Sequence, residues 1–329
     1  MNELPAIFES IEKLKVGVIG DVMLDTYIWG RVDRISPEAP VPVVSLHHKE
    51  QRLGGAGNVG LNCRSLGAEV FVLGVTGDDE EAEKLEQLLN EKKIDSSYLI
   101  KSKSRITTNK TRIISRNQQM MRLDAEMTQD LDSKDEKELL LQLAKFIEQE
   151  DPDILIFEDY NKGVLTEMII AEAISLCIES GVLTAADPKR KNFFSYKGVD
   201  IFKPNLKEAK EGLNLLFDVP DLYLLRDIHR ELSQLLQHKI SFITLSEKGV
   251  FYQQQKKAAI VPSHLRNIAD VSGAGDTVIA VAALVYAVTK NAHLTAEIAN
   301  IAGGLVCEEV GTAAVDKEKL LRECELLLS

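Results

Sequence analysis

Residues 270–277, DVSGAGDT, are the first place where residue type and spacing could do chemistry. Gly273, Ala274 and Gly275 are small and lead directly into the apolar run VIAVAALVYAV. A helix starting there leaves its first backbone N–H groups unpaired, at the positive end of its dipole. Such a start holds an anion, and the glycines let a phosphate approach the backbone. Asp276 lies beside it, placed to take a proton from a hydroxyl that attacks phosphorus. With an unperturbed pKa of about 3.9, an Asp is ionised at neutral pH and needs no shift to act as a base. The same octet suits an ordinary Gly-rich helix start, where a first-turn Asp is common.

Four further segments carry candidate groups. Residues 54–60, GGAGNVG, contain a literal G-x-G-x-x-G at Gly55, Gly57 and Gly60. Asp78 and Asp79 follow at about the spacing of a dinucleotide fingerprint. The context departs from that fingerprint, because the polar residues 47–52 precede the glycines and no strand ends there. A sugar approaching the backbone at Gly54 and Gly55, with the Asn58 amide donating and accepting, is a second reading. Tight helix packing is a third. Asp21 and Asp25 of GDVMLD lie beyond the carboxyl end of the first expected strand, where open α/β sheets bind ligands. They suit vicinal hydroxyls or are solvated loop acids. In KPNLKE, Asn205 and Glu208 have capping-box spacing. They could equally stand beside phosphates and Mg²⁺, with Asp187 of AADPKR. In TLSEKG, Thr244, Ser246 and Gly249 fit a nucleotide loop or a hairpin.

The elements that must position these groups alternate. Short β-branched runs at 16–20, 70–75, 154–157, 182–186 and 242–245 read as buried strands. Helical patterns lie at 80–90, 133–148, 167–179 and 221–236, the second with Leu140, Leu143, Ala144 and Ile147 on one face. This predicts an α/β fold with a doubly wound, mainly parallel sheet. Residues 27–46 and 105–123 alternate without helical period, and predict a small β lid over about 26–48 and 104–123; edge strands of the main sheet are the other reading. No linker or repeat interrupts the chain, so residues 1–329 read as one domain carrying a lid. Lys110, Arg112, Arg116 and Arg122 concentrate positive charge in the second lid segment, and Lys162 lies beyond another strand. Arginine suits bidentate phosphate binding, although charged ribbons also protect sheet edges.

Composition narrows the class. Lys and Arg total 39 against 51 Asp and Glu, a formal charge of −12. An acidic surface argues against nucleic acid. The longest apolar run, 278–288, is too short for a span of about 20 residues, and the N-terminus lacks a signal-peptide pattern. Four scattered cysteines include no CxxC pair. The expectation is a cytoplasmic protein bound to neither membrane nor nucleic acid.

In this order the motifs resemble those of the ribokinase-like, or pfkB, carbohydrate kinases. The stretches GDVMLDTYIWGRVDRISPEAPVPVV, NKTRIISRNQQMMRLD, EDYNKG, DPKRKNF, KPNLKEA and DVSGAGDT are similar to the D-glycero-β-D-manno-heptose 7-phosphate kinases of bacterial ADP-heptose synthesis. The resemblance implies ATP and Mg²⁺ as cosubstrate and ion, and C1 of the heptose phosphate as acceptor. It implies Asp276 as base, Gly273–Gly275 as anion hole, and Asn205 and Glu208 at the Mg²⁺–phosphate motif. Asp21, Asp25 and Asn58 would meet sugar hydroxyls, and Asn300 the adenine side. It further implies a lid that makes a homodimer, and a monovalent cation near Asp270. Ser246 stands where many members have Gly. Bifunctional relatives carry a nucleotidyltransferase domain with an HxGH motif, which is not found in this sequence; a separate nucleotidyltransferase is therefore the expected partner in the pathway. A kinase for another sugar, a nicotinamide oxidoreductase built on Gly55–Gly60 and a non-catalytic sugar-phosphate sensor are the alternatives.

Overall fold

The structure is a computed structural model and describes residues 3–116, 118–217 and 219–328. Its strands are β1 Lys15–Gly20, β2 Val22–Ile35, β3 Pro42–Gly55, β4 Glu69–Gly77, β5 Leu99–Ser102, β6 Thr108–Ser115, β7 Gln118–Ala125, β8 Ile154–Glu158, β9 Leu183–Asp187, β10 Ile201–Phe202, β11 Ile240–Thr244, β12 Val250–Gln254 and β13 Lys257–Val261. Nine of them form one sheet in the order β13-β12-β11-β10-β9-β8-β1-β4-β5. From β5 to β11 the pairing is parallel, and β12 and β13 add an antiparallel edge. Helices cover both faces, so the central strands are apolar along their length rather than alternating. The hairpin β12–β13 and the short β5 were not expected, because their polar and short stretches carry no clear period.

Two adjustments concern helices. In Ser133–Glu150 the buried face is Leu139, Leu143 and Phe146, and Ala144 is exposed. Phe146 turns the helix inward by packing its ring against Phe71 and Tyr98. The helix Ala274–Thr289 is buried at every residue from Asp276 to Tyr286. A helix apolar all round belongs in the middle of the molecule, and here its first turn is held against the carboxyl ends of β8 and β9.

The remaining strands form a separate sheet, β3-β2-β6-β7. It starts at Val22 and its first hairpin runs to Gly55, so it extends beyond the expected 26–48. The second segment begins at Thr108 rather than 104 and ends at Ala125. Asp25 and Gly54 are therefore lid-strand residues, not loop residues beyond β1. Gly55 does end a strand directly, but that strand is antiparallel and outside the main sheet. The dinucleotide reading of Gly55–Gly60 fails on this context. Gly55 has φ 54°, and a Cβ there would sit 2.3 Å from the Asp21 carbonyl oxygen. Only glycine makes this turn from lid into helix Ala56–Ser65.

Cross-strand neighbours give the lid two unlike faces. Arg52, Asp25, Lys110 and Asp124 form one row, and Glu50, Tyr27, Arg112 and Arg122 the next on the same face. The opposite face carries the rows Gln51, Thr26, Thr111, Leu123 and Lys49, Ile28, Ile113, Met121.

Candidate active site

Gly20, Glu158 and Asp187 are in register at the carboxyl ends of β1, β8 and β9. The first turn of helix Ala274–Thr289 stands over this line. Gly273 is its N-cap in the left-handed region, φ 78°, and no side chain caps the helix. A Cβ on Gly275 would lie 3.8 Å from Asp187 Oδ2 and 3.9 Å from Lys203 Nζ. The anion cradle expected of Gly273, Ala274 and Gly275 thus opens onto a buried acid–lysine pair. Lys203 donates to Asp187 at 2.7 Å, with side chains only 3% and 5% exposed.

Asp276 is buried in that first turn. The Asn58 amide donates to its Oδ2 at 2.7 Å, and the Tyr160 hydroxyl donates to its Oδ1 at 2.8 Å. Burial raises its pKa to about 6, against these two hydrogen bonds. Burial thus moves this carboxylate up from the ordinary Asp value used in the sequence reading. Asn58, expected at the sugar, thus also orients Asp276. Its helix is stitched to the catalytic one a turn further on, where Thr277 Oγ1 donates to Asn62 Oδ1 at 3.0 Å.

Asp21 is committed to the backbone. Its carboxylate accepts from the N–H groups of Tyr160 at 2.7 Å, Lys162 at 3.0 Å and Val164 at 3.3 Å. It therefore fixes the loop that carries Tyr160 at the end of the site where a sugar contact is expected of it. Asp25 pairs with Arg112. A Cβ on Gly54 would sit 2.7 Å from Asp25 Oδ2, so that glycine makes room for the carboxylate. Glu158 is fully buried and neither carboxyl oxygen has a hydrogen-bond partner. Burial and the neighbouring Asp187 and Asp276 push its pKa well above the usual carboxylate range.

Asn205 and Glu208 form the full capping box: Glu208 N donates to Asn205 Oδ1 at 2.8 Å and Asn205 N to Glu208 Oε2 at 2.7 Å. The other Glu208 oxygen meets Lys189 at 3.0 Å, and Lys189 also reaches Asp187 at 3.2 Å. The capping reading of KPNLKE is thus observed, and the cap leaves the other Glu208 oxygen facing Lys189. Among the described residues no group of three or more His, Cys, Asp or Glu could hold a metal by itself. Asp187 and Glu208, sharing Lys189, suit a divalent ion that arrives on phosphates and keeps part of its water. Thr244 is bridged to Asn205, so the TLSEKG turn adjoins this box. That turn joins β11 to β12 as a hairpin. Ser246 adopts φ 55°, a conformation glycine takes without strain, and Gly249 φ 96°. Asn300 donates to the Pro262 carbonyl at 2.8 Å and thereby anchors the loop leading to Asp270. Asp270 accepts from Ser272 N at 3.0 Å, Ser272 Oγ at 2.8 Å and Gly311 N at 2.9 Å.

The lid's charged face meets this floor. Lys110 and Lys189 each place an ammonium 5.5 Å from the Tyr160 ring centroid. Burial and Lys162 lower the Lys110 pKa. Arg122 is bidentate to Asp124, both contacts 2.9 Å, and Lys162 pairs with Glu126 at 2.8 Å. Tyr160, Lys189, Lys203 and Glu158 were not singled out by residue type. They stood inside EDYNKG, DPKRKNF and KPNLKEA, where residue type had marked only Asp187, Asn205, Glu208 and Lys162.

The profile of the pfkB family carbohydrate kinases matches residues 13–319. The chain belongs to this family. It is similar to the bifunctional protein HldE of Aliarcobacter butzleri, 38% identical over 309 residues, covering 94% of this chain and 64% of that protein. HldE of Sulfurimonas denitrificans is 38% identical over 302 residues, covering 92% and 62%. The chain thus spans less than two thirds of the length of these relatives. Among solved structures, Escherichia coli phosphofructokinase-2 in complex with potassium superposes with a TM-score of 0.79 at 17% identity, covering 95% of this chain and 99% of that one. Arabidopsis thaliana ribokinase complexed with ribose and ATP gives 0.72 at 16% identity, covering 94% and 99%. These two show the ribokinase-like fold. As a pfkB family carbohydrate kinase, the chain is a phosphotransferase that acts on an alcohol group. No described helix is long and apolar enough to cross a membrane.

Proposed function

We propose that this kinase phosphorylates C1 of D-glycero-β-D-manno-heptose 7-phosphate, giving the 1,7-bisphosphate used for ADP-heptose. The reading rests on the six stretches shared with heptose 7-phosphate kinases and on the HldE relatives. The observation that carries the mechanism is Asp276, buried and held at both oxygens beside an uncapped helix start.

In this mechanism Asp276 takes the C1 hydroxyl proton as that oxygen attacks the γ-phosphorus in line. The backbone N–H groups at Gly273, Ala274 and Gly275 stabilise charge on the transferring group. Lys189 and Lys203 stand on the nucleotide side of the same cradle. Asp187 and Glu208 would be the carboxylates beside a bound Mg²⁺, which would supply neutralisation of phosphate charge. Asn205, Thr244, Ser246, Gly249 and Asn300 line the proposed ATP side, and a monovalent cation beside Asp270 belongs to the same proposal. Asp25, Gly54, Gly55 and Asn58 shape the sugar end. Lys110, which has no ion pair among the described residues, takes the 7-phosphate first, with Arg122 and Lys162 exchanging from their own acids. Closure of the lid excludes water.

The lid's other face supports a homodimer. Ile28 and Ile113 lie beside exposed Met121 and Leu123, both more than half exposed. Met121→Glu is expected to give a monomer in sedimentation velocity, and an unchanged mass would remove the lid from the interface. A nucleotidyltransferase acting downstream on the sugar 1-phosphate is the reaction class that the ADP-heptose reading calls for. Asp276→Asn is expected to lower kcat by at least ~10²-fold with the fold intact. Near-full turnover by a folded variant would sink the assignment.

A further inference from the structure

We propose that Tyr160 withholds Asp276 from water until a sugar hydroxyl enters, and so suppresses wasteful ATP hydrolysis. The inference rests on Asp276 being the base of the kinase reaction, and not on which sugar is used. Both oxygens of that carboxylate are occupied by donors, Asn58 on Oδ2 and Tyr160 on Oδ1. An entering hydroxyl competes with these two donors for the same carboxylate. Asn58 is fully buried, and its own carbonyl accepts from Asn62 at 2.9 Å within a packed helix. Tyr160 is only partly buried and sits on a loop at the mouth of the site. It is therefore the donor able to leave.

What surrounds the ring couples it to both substrates. The Lys110 ammonium comes from the lid, and the Lys189 ammonium also holds Glu208. A sugar phosphate drawing on Lys110 and an ATP drawing on Lys189 each remove a cation from the same ring. The backbone beneath stays fixed, because Asp21 holds the N–H groups of Tyr160, Lys162 and Val164. The hydroxyl can thus swing while the loop does not. Tyr160 is a positioning residue in this scheme. In the leak it prevents, a water oxygen bonds to the γ-phosphorus and the bond from that phosphorus to the bridging oxygen of ADP breaks. The water proton passes to Asp276.

Acceptor-free hydrolysis of Mg·ATP, followed across pH, tests this in the wild type, Tyr160→Phe, Asp276→Asn and the double variant. Tyr160→Phe keeps the ring between the two lysines, and thermal melting checks its fold. The expected result is hydrolysis raised about tenfold, the range for losing one hydrogen bond to a charged group. Its acid limb should also move to higher pH, because the lost bond favours the ionised carboxylate. Glu158, Asp187 and Lys189, the other charged or titratable groups acting on Asp276, remain in place in this variant. The double variant should fall back to the Asp276→Asn rate. Hydrolysis by Tyr160→Phe no faster than wild type, an unmoved acid limb, or a rise that survives in the double variant would each overturn the proposal. Loss of sugar phosphorylation on heptose 7-phosphate alone would instead count against the substrate assignment, which this assay does not use.

Discussion

At the floor of the site, charge pairs are largely buried and share partners; on the lid, apart from the buried Asp25–Arg112 pair, they are partly exposed and join near neighbours on one strand. Lys203 meets Asp187, and Lys189 meets both Asp187 and Glu208, all largely buried. Arg122 meets Asp124, Arg52 meets Glu50 and Arg31 meets Asp33, each two residues away and partly exposed. A buried pair is costly to break, since the survivor is left as an uncompensated charge. An exposed pair contributes about 0–1 kcal/mol, so a phosphate can take its arginine at little cost. The floor is built to stay in one geometry, whereas the lid is built to exchange partners.

Several variants would break or sharpen that contrast. The largest effect is expected from Lys203→Met, which leaves Asp187 buried beside Glu158. It should destabilise the fold by roughly 3–5 kcal/mol, read by urea unfolding, and a loss under ~1 kcal/mol would deny that the floor pair is rigidly held. Next, Lys110→Met should raise KM for a sugar phosphate by roughly tenfold with kcat less affected, the scale of one charged hydrogen bond. Arg122→Ala should raise it less, by about threefold, because part of its cost is already offset by freeing Asp124. An Arg122 effect exceeding that of Lys110 would reverse the assignment of the first phosphate contact. The smallest change is one of position: kcat/KM should rise with pH through about 6 as Asp276 ionises in the free enzyme. A flat profile down to the ordinary Asp range would mean that burial does not shift the base.

How much was legible follows the same division. DVSGAGDT could be read because a helix start and its glycines are local features. The capping box of Asn205 and Glu208 was legible for the same reason. Tyr160 was not, because it meets Asp276 across 116 residues of chain, and a lone Tyr in a loop carries no spacing signal. Lys189 and Lys203 were hidden likewise, since their acids come together only when β9 and β10 pair. Asp21 and Asp25 look alike in GDVMLD, but one ends the main sheet and the other enters the lid. A single residue between β1 and β2 separates the two fates.

The measurement to make first is ADP release with Mg·ATP and a panel of sugars and sugar phosphates, in the wild type and Asp276→Asn. The account predicts turnover on D-glycero-β-D-manno-heptose 7-phosphate above every other member, lost in the Asn variant. Preferred turnover on another sugar phosphate would contradict the heptose assignment, and turnover retained by Asp276→Asn would contradict the base.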